Sequence, residues 1–261
     1  MAKRDIKQQV QTRFGEVAAN YRISAVHASG ADLEVMARNA PLRSNSVVLD
    51  AGCGAGHTAM AFAPNVAWVY ACDFTGSMLK QVKLLARQRG VANVTPQLAD
   101  IEYLPFPDDS FDIVTSRYSA HHWGHPQKAI SEIRRVLRKK GSFIISDIMA
   151  SEDYAQDTFL QTIELLRDPS HVRDYRISEW RALLSASGFR AEVIHKFELE
   201  LHFRTWTTRM ETPRQNREMI KSIFSEASQD IRRGFQLPDQ IDSDDFSFFI
   251  PGAVIKCQTK V

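Results

Sequence analysis

The chain has 261 residues, of which 44% are hydrophobic and 25% charged, a balance typical of a globular domain with a substantial core. Its 33 Lys and Arg against 31 Asp and Glu give a net charge of +2, far below the basic excess of nucleic-acid-binding proteins. No run approaches the ~20 apolar residues of a membrane helix, and no apolar targeting segment begins the chain. We therefore expect a cytoplasmic protein with neither nucleic acid nor membrane as partner.

Residues 1–45 precede the first strand pattern and are predicted to form an N-terminal helical lid. Over residues 6–39, apolar side chains recur at spacings of three and four, and Gly30 is predicted to separate two helices. Because the lid comes before the first strand, it is placed to lie over a binding site, with Tyr21 or His27 reaching in. Packing of both side chains against the sheet is an equally good interpretation.

A short aliphatic run that ends in an acid opens the predicted cofactor-binding core, residues 46–149. Val47–Asp50 predicts a buried parallel strand, and Gly52, Gly54 and Gly56 follow at alternate positions. Glycines so close together let the backbone turn tightly and approach a ligand without a side chain in the way. The loop therefore predicts a bound adenosine-type cofactor.

The second predicted strand, residues 66–73, also ends in an acid, Asp73. In open parallel sheets, ligands bind beyond the carboxyl ends of the strands, where this carboxylate can accept both hydroxyls of a ribose. The competing interpretation is that Asp73 caps the helix beginning near Gly76. Strand, spacing and glycine loop agree better with the ribose contact.

Three further strands are predicted in the core. Val94–Leu98 is followed at its tip by Asp100 and Ile101, and the fourth strand ends at Arg117. A helix from Pro126, with an apolar stripe that includes Leu137, is predicted to end at Gly141, and residues 142–148 form the fifth strand. Strands that alternate with helices predict a parallel, doubly wound α/β sheet.

Residues 150–261 are predicted to add cap insertions and the last two strands of the same sheet. Helices are expected over 153–167, over 178–187 with Ser178 as its cap, and from Thr212 onward through Ile231. Long strands are expected over 189–203 and 246–257, and Pro251 predicts a bulge or interruption in the last of them.

A nicotinamide dehydrogenase also has a glycine turn after its first strand and an acid after its second. In that fingerprint, His57 would occupy a position that requires Gly or Ala, and no hydride-handling domain is evident. The glycines run G-x-G-x-G instead. An oxidoreductase is therefore the less favoured alternative.

Further motifs follow the glycine loop in a fixed order over about 100 residues. They are Val48–His57, Asp73 with Ser77–Leu79, Asp100 before Leu104–Phe106, Asp109–Asp112, and Glu132–Leu137 before Gly141. With these motifs the chain resembles the class I S-adenosylmethionine-dependent methyltransferases. More narrowly, it resembles the small-molecule group that includes the ubiquinone/menaquinone-biosynthesis methyltransferases, in the Methyltransferase type 11 family.

The resemblance implies a doubly wound, mostly parallel, seven-stranded Rossmann-like sheet of order 3-2-1-4-5-7-6 with a helical cap. It implies S-adenosylmethionine as cofactor, with its ribose on Asp73, its adenine between Phe74 and Ile101 and beside Asp100, and its ammonium on the Arg117 backbone. With Tyr21 from the lid, the predicted cofactor-binding residues are Asp50, Gly52, Gly54, Gly56, Asp73, Phe74, Met78, Asp100, Ile101, Arg117 and Tyr21.

Two adjacent histidines follow the fourth strand, where substrate and cofactor are expected to meet. The ordinary histidine pKa of ~6.5 suits a general base, so His121 and His122 are the predicted catalytic residues. Each is equally well explained as a packing or hydrogen-bonding residue. Adding His125 gives His-His-x-x-His, but no nearby acid or cysteine supports it, and no metal site is predicted.

Candidate substrate contacts come from the fourth strand and the cap. Arg173 is placed to clamp an acidic acceptor or to form a salt bridge with Asp168 or Asp174. Trp206 and Arg209 line the pocket or tie the cap down. The predicted substrate residues are Tyr118, His122, His171, Arg173 and Trp206.

The favoured hypothesis is methyl transfer from S-adenosylmethionine to a small-molecule acceptor by a monomer or homodimer. A second hypothesis is a protein that binds S-adenosylmethionine without transferring its methyl group. The sequence leaves open whether the acceptor atom is carbon, oxygen, nitrogen or sulfur.

Overall fold

The computed structural model describes residues 5–260, and within them seven strands form one sheet. The strands are β1 Val47–Ala51, β2 Trp68–Asp73, β3 Val94–Leu98, β4 Phe111–Arg117, β5 Leu137–Ile148, β6 Phe189–His202 and β7 Ser247–Thr259. The helices are α1 Ile6–Arg22, α2 Ala25–Ala28, α3 Ala31–Asn39, α4 His57–Phe62, α5 Gly76–Arg89, α6 Pro126–Val136, α7 Tyr154–Arg167, α8 Ile177–Ala186, α9 Phe203–Arg209, α10 Arg214–Ser225 and α11 Gln229–Phe235.

The strand order is β3-β2-β1-β4-β5-β7-β6, which confirms the predicted α/β, doubly wound architecture. Strands β1 to β5 run parallel, and Val48 at the centre pairs with Val69 on one side and Ile113 on the other. Strand β7 lies antiparallel between β5 and β6. The carboxyl ends of the parallel strands therefore meet at one edge of the sheet, where ligands bind in this class of fold.

Helices cover both faces of the central strands because those strands carry aliphatic side chains on both faces. On one face, Leu49 and Val114 pack in a buried cluster with α6 and α8. On the other, Val48 and Ile113 pack with α3, α4 and α5. The two layers hold the strand ends rigidly in place.

A third buried cluster lies between the β6–β7 hairpin and helices α7, α9, α10 and α11. Its aromatic centre is formed by Phe159, Trp206, Phe224 and Phe248. This cluster is the core of the cap, and its strands belong to the common sheet. The division of the chain into residues 1–45, 46–149 and 150–261 stays a prediction. Of the helices in residues 5–260, none is both long and apolar enough to cross a membrane.

The boundary between α6 and β5 differs from the prediction. Helix α6 ends at Val136, well before Gly141. Leu137 continues the apolar spacing of the helix, but its backbone is extended and it pairs with Phe111 of β4. Strand pairing therefore decides the conformation of a residue whose spacing fitted a helix.

Two helix boundaries in the cap also differ. Helix α8 has Arg176 at its cap position, and the Ser178 hydroxyl donates to Glu152 instead of capping the helix. The predicted segment from Thr212 onward is two helices, because the Ser228 side chain accepts from the Ile231 amide and starts α11. Helix α9 was not predicted.

The last strand is continuous through its proline. Pro251 pairs with Glu198 of β6, and no register shift occurs there. The irregularity lies in the partner strand, between Val193 and His195. The predicted bulge or interruption at Pro251 is therefore wrong. Proline has no N–H to donate to the ladder, but its carbonyl oxygen still accepts from the Met149 amide.

Candidate active site

Two neighbouring cavities lie at the carboxyl ends of the strands. The first, of about 910 Å³, lies between the glycine loop, the end of β2 and α1. The second, of about 500 Å³, lies under helices α7 and α9. They share five lining residues, which are Phe14, Tyr21, His27, Tyr118 and His122.

The first cavity brings together most of the residues predicted to bind a cofactor. Tyr21 and His27 both line it, which agrees with the prediction that the lid reaches into the site. The predicted residues in its wall are Gly52, Gly54, Asp73, Phe74, Met78, Ile101, Arg117, Tyr21, Tyr118 and His122.

The glycine loop needs its glycines for two different reasons. Gly52 has φ +71°, and a Cβ there would overlap the Ser119 hydroxyl. Gly56 has φ +92° and packs closely on Val82 at the start of α4, outside the cavity wall. The first glycine therefore lets the loop lie against Ser119, and the last lets α4 pack against α5.

Asp50 lies beneath the glycine loop and does not line the first cavity. One carboxylate oxygen accepts from the Ala59 amide at 3.0 Å, and the other accepts from the Thr115 hydroxyl at 3.1 Å. Burial raises the pKa of Asp50 to about 7. The structure therefore gives this predicted cofactor residue a place in supporting the loop.

Replacing Asp50 tests this supporting role. In Asp50→Ala, the Ala59 amide and Thr115 hydroxyl lose their buried partner, and the free energy of unfolding is expected to fall by about 2 kcal/mol. Asp50→Asn keeps an acceptor for Ala59 and is expected to cost less than half as much. Urea denaturation at pH 5 measures both, and equal losses in the two variants would contradict the hydrogen-bonding role.

The wild type and Asp50→Asn are also expected to differ in how their free energy of unfolding depends on pH. The folded-state pKa of Asp50 is about 7 against 3.8 when unfolded, so the folded state binds more protons between these values. The wild type is therefore expected to lose stability relative to Asp50→Asn as the pH rises from about 4 to about 7. A difference that stays constant over this range would show that the carboxyl does not titrate as stated.

Asp73 ends β2 with its carboxylate in the wall of the first cavity. One oxygen accepts from the Gly54 amide at 2.9 Å and the other from the Thr75 amide at 2.8 Å. The cap position of α5 is Thr75, so the competing interpretation of Asp73 as its cap is not supported. Burial raises the pKa of Asp73, and each oxygen retains an acceptor position for a ligand hydroxyl.

Asp100 is outside the cavity lining. Its carboxylate lies 2.6 Å from the Lys7 ammonium and accepts from the Glu102 amide at 2.9 Å. The neighbouring Ile101 does line the cavity. The contact of Asp100 with an adenine amino group stays a prediction.

The Arg117 side chain anchors the lid to the end of β4. Its guanidinium forms a buried ion pair with Asp32 of α3, at 2.6 and 3.0 Å. It also donates to the carbonyl oxygens of His27 and Val26 at 2.8 and 3.2 Å. The lid therefore has a fixed polar attachment beside the site.

The two adjacent histidines have different surroundings. His121 Nδ1 lies 2.7 Å from Asp147 Oδ1, and His121 lines the second cavity. Burial lowers the pKa of His121, but the charge and hydrogen bond of Asp147 outweigh this and raise it to about 9. His122 lines both cavities, and burial together with the nearby His121 lowers the pKa of its ring. Its Nδ1 lies 3.1 Å from the Ser170 carbonyl oxygen and must carry the proton, because a carbonyl only accepts.

The His-His-x-x-His spacing does not converge on one point, because His125 Nδ1 lies 3.1 Å from Glu102. His121, Asp147 and Asp174 place ligand-type atoms within 4.8 Å of one another. The Asp147 oxygens, however, accept from His121 and from three backbone amides, of residues 119, 120 and 148. A carboxylate that already accepts four hydrogen bonds is better explained as part of an Asp–His pair than as a metal ligand. The absence of a metal stays a prediction.

The cap residues divide between the second cavity and the structure around it. Trp206 and Arg209 line the second cavity. His171 and Arg173 line neither cavity: His171 Nε2 lies 3.0 Å from Gln161, and Arg173 forms ion pairs with Asp157 and Glu179. The salt bridge predicted for Arg173 therefore forms with these partners rather than with 168 or 174.

Four charged residues of the site were not predicted as site residues. Asp174, with Glu164 and Arg167 of α7, lines the second cavity, and Asp147 holds His121. Asp147 carries a signal that sequence reading can use, because it follows a buried aliphatic run near the end of a strand, as Asp73 does. The α7 pair carries no comparable signal.

Comparisons with known proteins agree with this geometry. Residues 49–145 match the family model described as a methyltransferase domain. The uncharacterized methyltransferase YcgJ of Bacillus subtilis is 39% identical over 94% of this chain and 97% of its own length. Its crystal structure superposes with a TM-score of 0.85, at 38% identity over 88% of this chain and 98% of that one.

Two other similar proteins are also described as methyltransferases. A putative methyltransferase from Bacillus halodurans superposes with a TM-score of 0.84 at 32% identity, covering 89% of this chain and all of that one. The ubiquinone/menaquinone biosynthesis C-methyltransferase UbiE of Paraburkholderia phytofirmans is 33% identical over 55% of this chain and 61% of its own length. The chain therefore belongs to the class I S-adenosylmethionine-dependent methyltransferases, in the Methyltransferase type 11 family.

Proposed function

We propose that this protein transfers the methyl group of S-adenosylmethionine to a small-molecule acceptor bound in the second cavity. The observation that carries the proposal is the shared wall of the two cavities. One cavity has the glycine loop and the Asp73 carboxylate, and the other has the His121–Asp147 pair. Two ligands bound there would meet at the common wall.

The first cavity fits S-adenosylmethionine on the chemistry of its own groups. The free acceptor positions of Asp73 suit the two ribose hydroxyls, and a Cβ at Gly54 would meet open space, so the loop leaves room for a ligand. Phe74, Met78 and Ile101 offer apolar surface for the adenine ring. When bound, the cofactor supplies an electrophilic methyl group on a sulfonium.

The second cavity suits a small molecule. Its wall combines apolar side chains with a few charged groups, as the walls of small-ligand sites do. The cap helices α7 and α9 form one side of it, and they would shield that side of a bound acceptor from solvent. We also propose that the enzyme works in the cytoplasm as a monomer or homodimer, and its three free thiols, Cys53, Cys72 and Cys257, support a reducing compartment.

His121 is the proposed general base. Its Nδ1 is held by Asp147, so Nε2 is the ring nitrogen available to a proton of the acceptor. The raised pKa of His121, about 9, means that the neutral, basic form grows as the pH approaches 9. His122 has the lowered pKa and a donor bond to Ser170, and it is proposed to shape the common wall and contact the acceptor with Tyr118 and Trp206.

The proposal is tested in two steps. Calorimetry with S-adenosylhomocysteine measures cofactor binding, and incubation with methyl-labelled S-adenosylmethionine and an acceptor panel measures transfer. Binding together with a labelled product supports the enzyme. Binding without formation of S-adenosylhomocysteine across the panel would favour a non-transferring S-adenosylmethionine protein, and a melting-temperature rise with NADH alone would favour an oxidoreductase.

A further inference from the structure

We infer that the acceptor carries a carboxylate and that Arg209, in the second cavity, binds it. This inference rests on the proposed function and names the chemical class of its substrate. It follows from the charged groups and from the apolar side chains in the wall of that cavity.

Arg209 is a cation without an ion-pair partner. Within residues 5–260, no carboxylate lies at ion-pair distance from its guanidinium, and its Nε is buried with no hydrogen-bond partner. Its nearest aromatic contact is the Tyr21 ring, whose centroid is 6.0 Å away. Burial and the nearby Arg167 lower the pKa of Arg209, and the opposing effects of Tyr21 and Glu164 do not restore it. A partly buried guanidinium without an ion-pair partner is stabilised when an anion binds it.

The other cations in the cavity wall already have carboxylate partners. Arg167 pairs with Glu164 at 3.2 Å, and His121 pairs with Asp147 at 2.7 Å. Burial raises the pKa of Asp174 well above its ordinary value, which favours its neutral form. The guanidinium of Arg209 is therefore the cation in this wall without a carboxylate partner among residues 5–260.

A single guanidinium without an ion-pair partner selects among anions. A carboxylate carries one negative charge and two coplanar oxygens that match the two donors of a guanidinium edge. A phosphate monoester carries nearly two negative charges at neutral pH and would leave one unbalanced in the cavity. The charge count therefore points to a carboxylate.

The remaining wall indicates what the carboxylate is attached to. The side chains of Ile148, Leu199, Leu201, Trp206 and Ile250 give the cavity an apolar surface. An acceptor with an apolar body buries that surface, while its acidic end reaches Arg209. The inferred class is an aromatic or medium-chain aliphatic carboxylic acid.

The experiment uses matched acids and amides on the full chain loaded with S-adenosylhomocysteine. The probes are 3-phenylpropanoate with 3-phenylpropanamide, 4-hydroxybenzoate with 4-hydroxybenzamide, and octanoate with octanamide, each titrated by calorimetry. At least one acid is expected to bind ten or more times as tightly as its amide. Equal binding within every pair, or binding by no acid, would overturn the inference.

Variants of α9 assign the preference to one side chain. Arg209→Gln is expected to remove the tenfold preference, and Arg209→Lys to retain part of it because the charge remains. Arg204→Gln is the matched control, since Arg204 is exposed on the same helix. An unchanged preference in Arg209→Gln would overturn the role of Arg209.

The experiment distinguishes failure of the proposed function from failure of the carboxylate inference. If S-adenosylhomocysteine itself does not bind, the proposed function fails. If it binds to wild type and to Arg209→Gln alike but no acid is preferred, only the carboxylate inference fails.

Discussion

Replacing Asp73 with alanine is expected to weaken the binding of S-adenosylhomocysteine at least 100-fold. The carboxylate lies in the wall of the first cavity and has one acceptor position left on each oxygen. Two hydrogen bonds to a charged group are together worth about 3 kcal/mol or more, which corresponds to a factor of about 100 in affinity. Isothermal titration calorimetry of wild type and variant measures the change.

The control for this result removes an acid elsewhere. Asp230 is exposed on α11, where it pairs with Arg233, so Asp230→Ala is expected to leave the affinity unchanged. Circular dichroism checks that Asp73→Ala remains folded, because the amides of Gly54 and Thr75 lose an acceptor. Unaltered affinity in a folded Asp73→Ala protein would remove the basis for cofactor binding at this site.

Replacing His121 with asparagine is expected to lower kcat by about 100-fold to 10,000-fold, the usual contribution of a positioned base. The side-chain amide of asparagine can still donate to Asp147, so the local hydrogen bond is kept while the titrating ring is lost. The acceptor found in the labelled screen is used to measure kcat and KM separately. A loss confined to KM would indicate a binding role instead.

The pH profile gives an independent readout. Because the pKa of His121 is raised to about 9, the fraction of neutral base increases about tenfold per pH unit up to that value. The wild-type rate is expected to follow this increase between pH 6 and 9, and the variant rate is expected to lose it. His125→Asn is the matched control, since that ring is exposed and pairs with Glu102 outside both cavities. Parallel profiles for wild type and His121→Asn would contradict the base assignment.

The strand tips were predictable because their signal is local. An aliphatic run that ends in an acid before glycines describes β1 and β2, and Val94–Leu98 is a strand with the predicted bounds. The end of α6 was not predictable from spacing, since Leu137 fits the apolar stripe of the helix and becomes extended only through its pairing with Phe111. The spacing of apolar residues along a segment carries no information about a strand partner that is distant in sequence.

The site shows the same limit. Asp73 was placed correctly in the cavity wall because strand ends converge at one edge of such a sheet. Which cap arginine faces the second cavity was not decidable, since Asp157 of α7 draws Arg173 away and no sequence signal identifies that partner. Arg209 is left facing the cavity by the fold of α9, a helix the sequence did not predict.

Helix α1 forms part of the wall of both cavities, yet it is fastened to the sheet by side chains and not by a strand ladder. At its outer end, Lys7 contacts Asp100 and Glu102, and the following segment is held by the Arg117–Asp32 pair. A segment attached in this way opens at a lower free energy than a central strand such as β4. Deuterium is therefore expected to enter the amides of α1 before those of β4, and more slowly once the first cavity is filled. Opening of α1 is then expected to limit the rate at which bound S-adenosylhomocysteine is exchanged for S-adenosylmethionine.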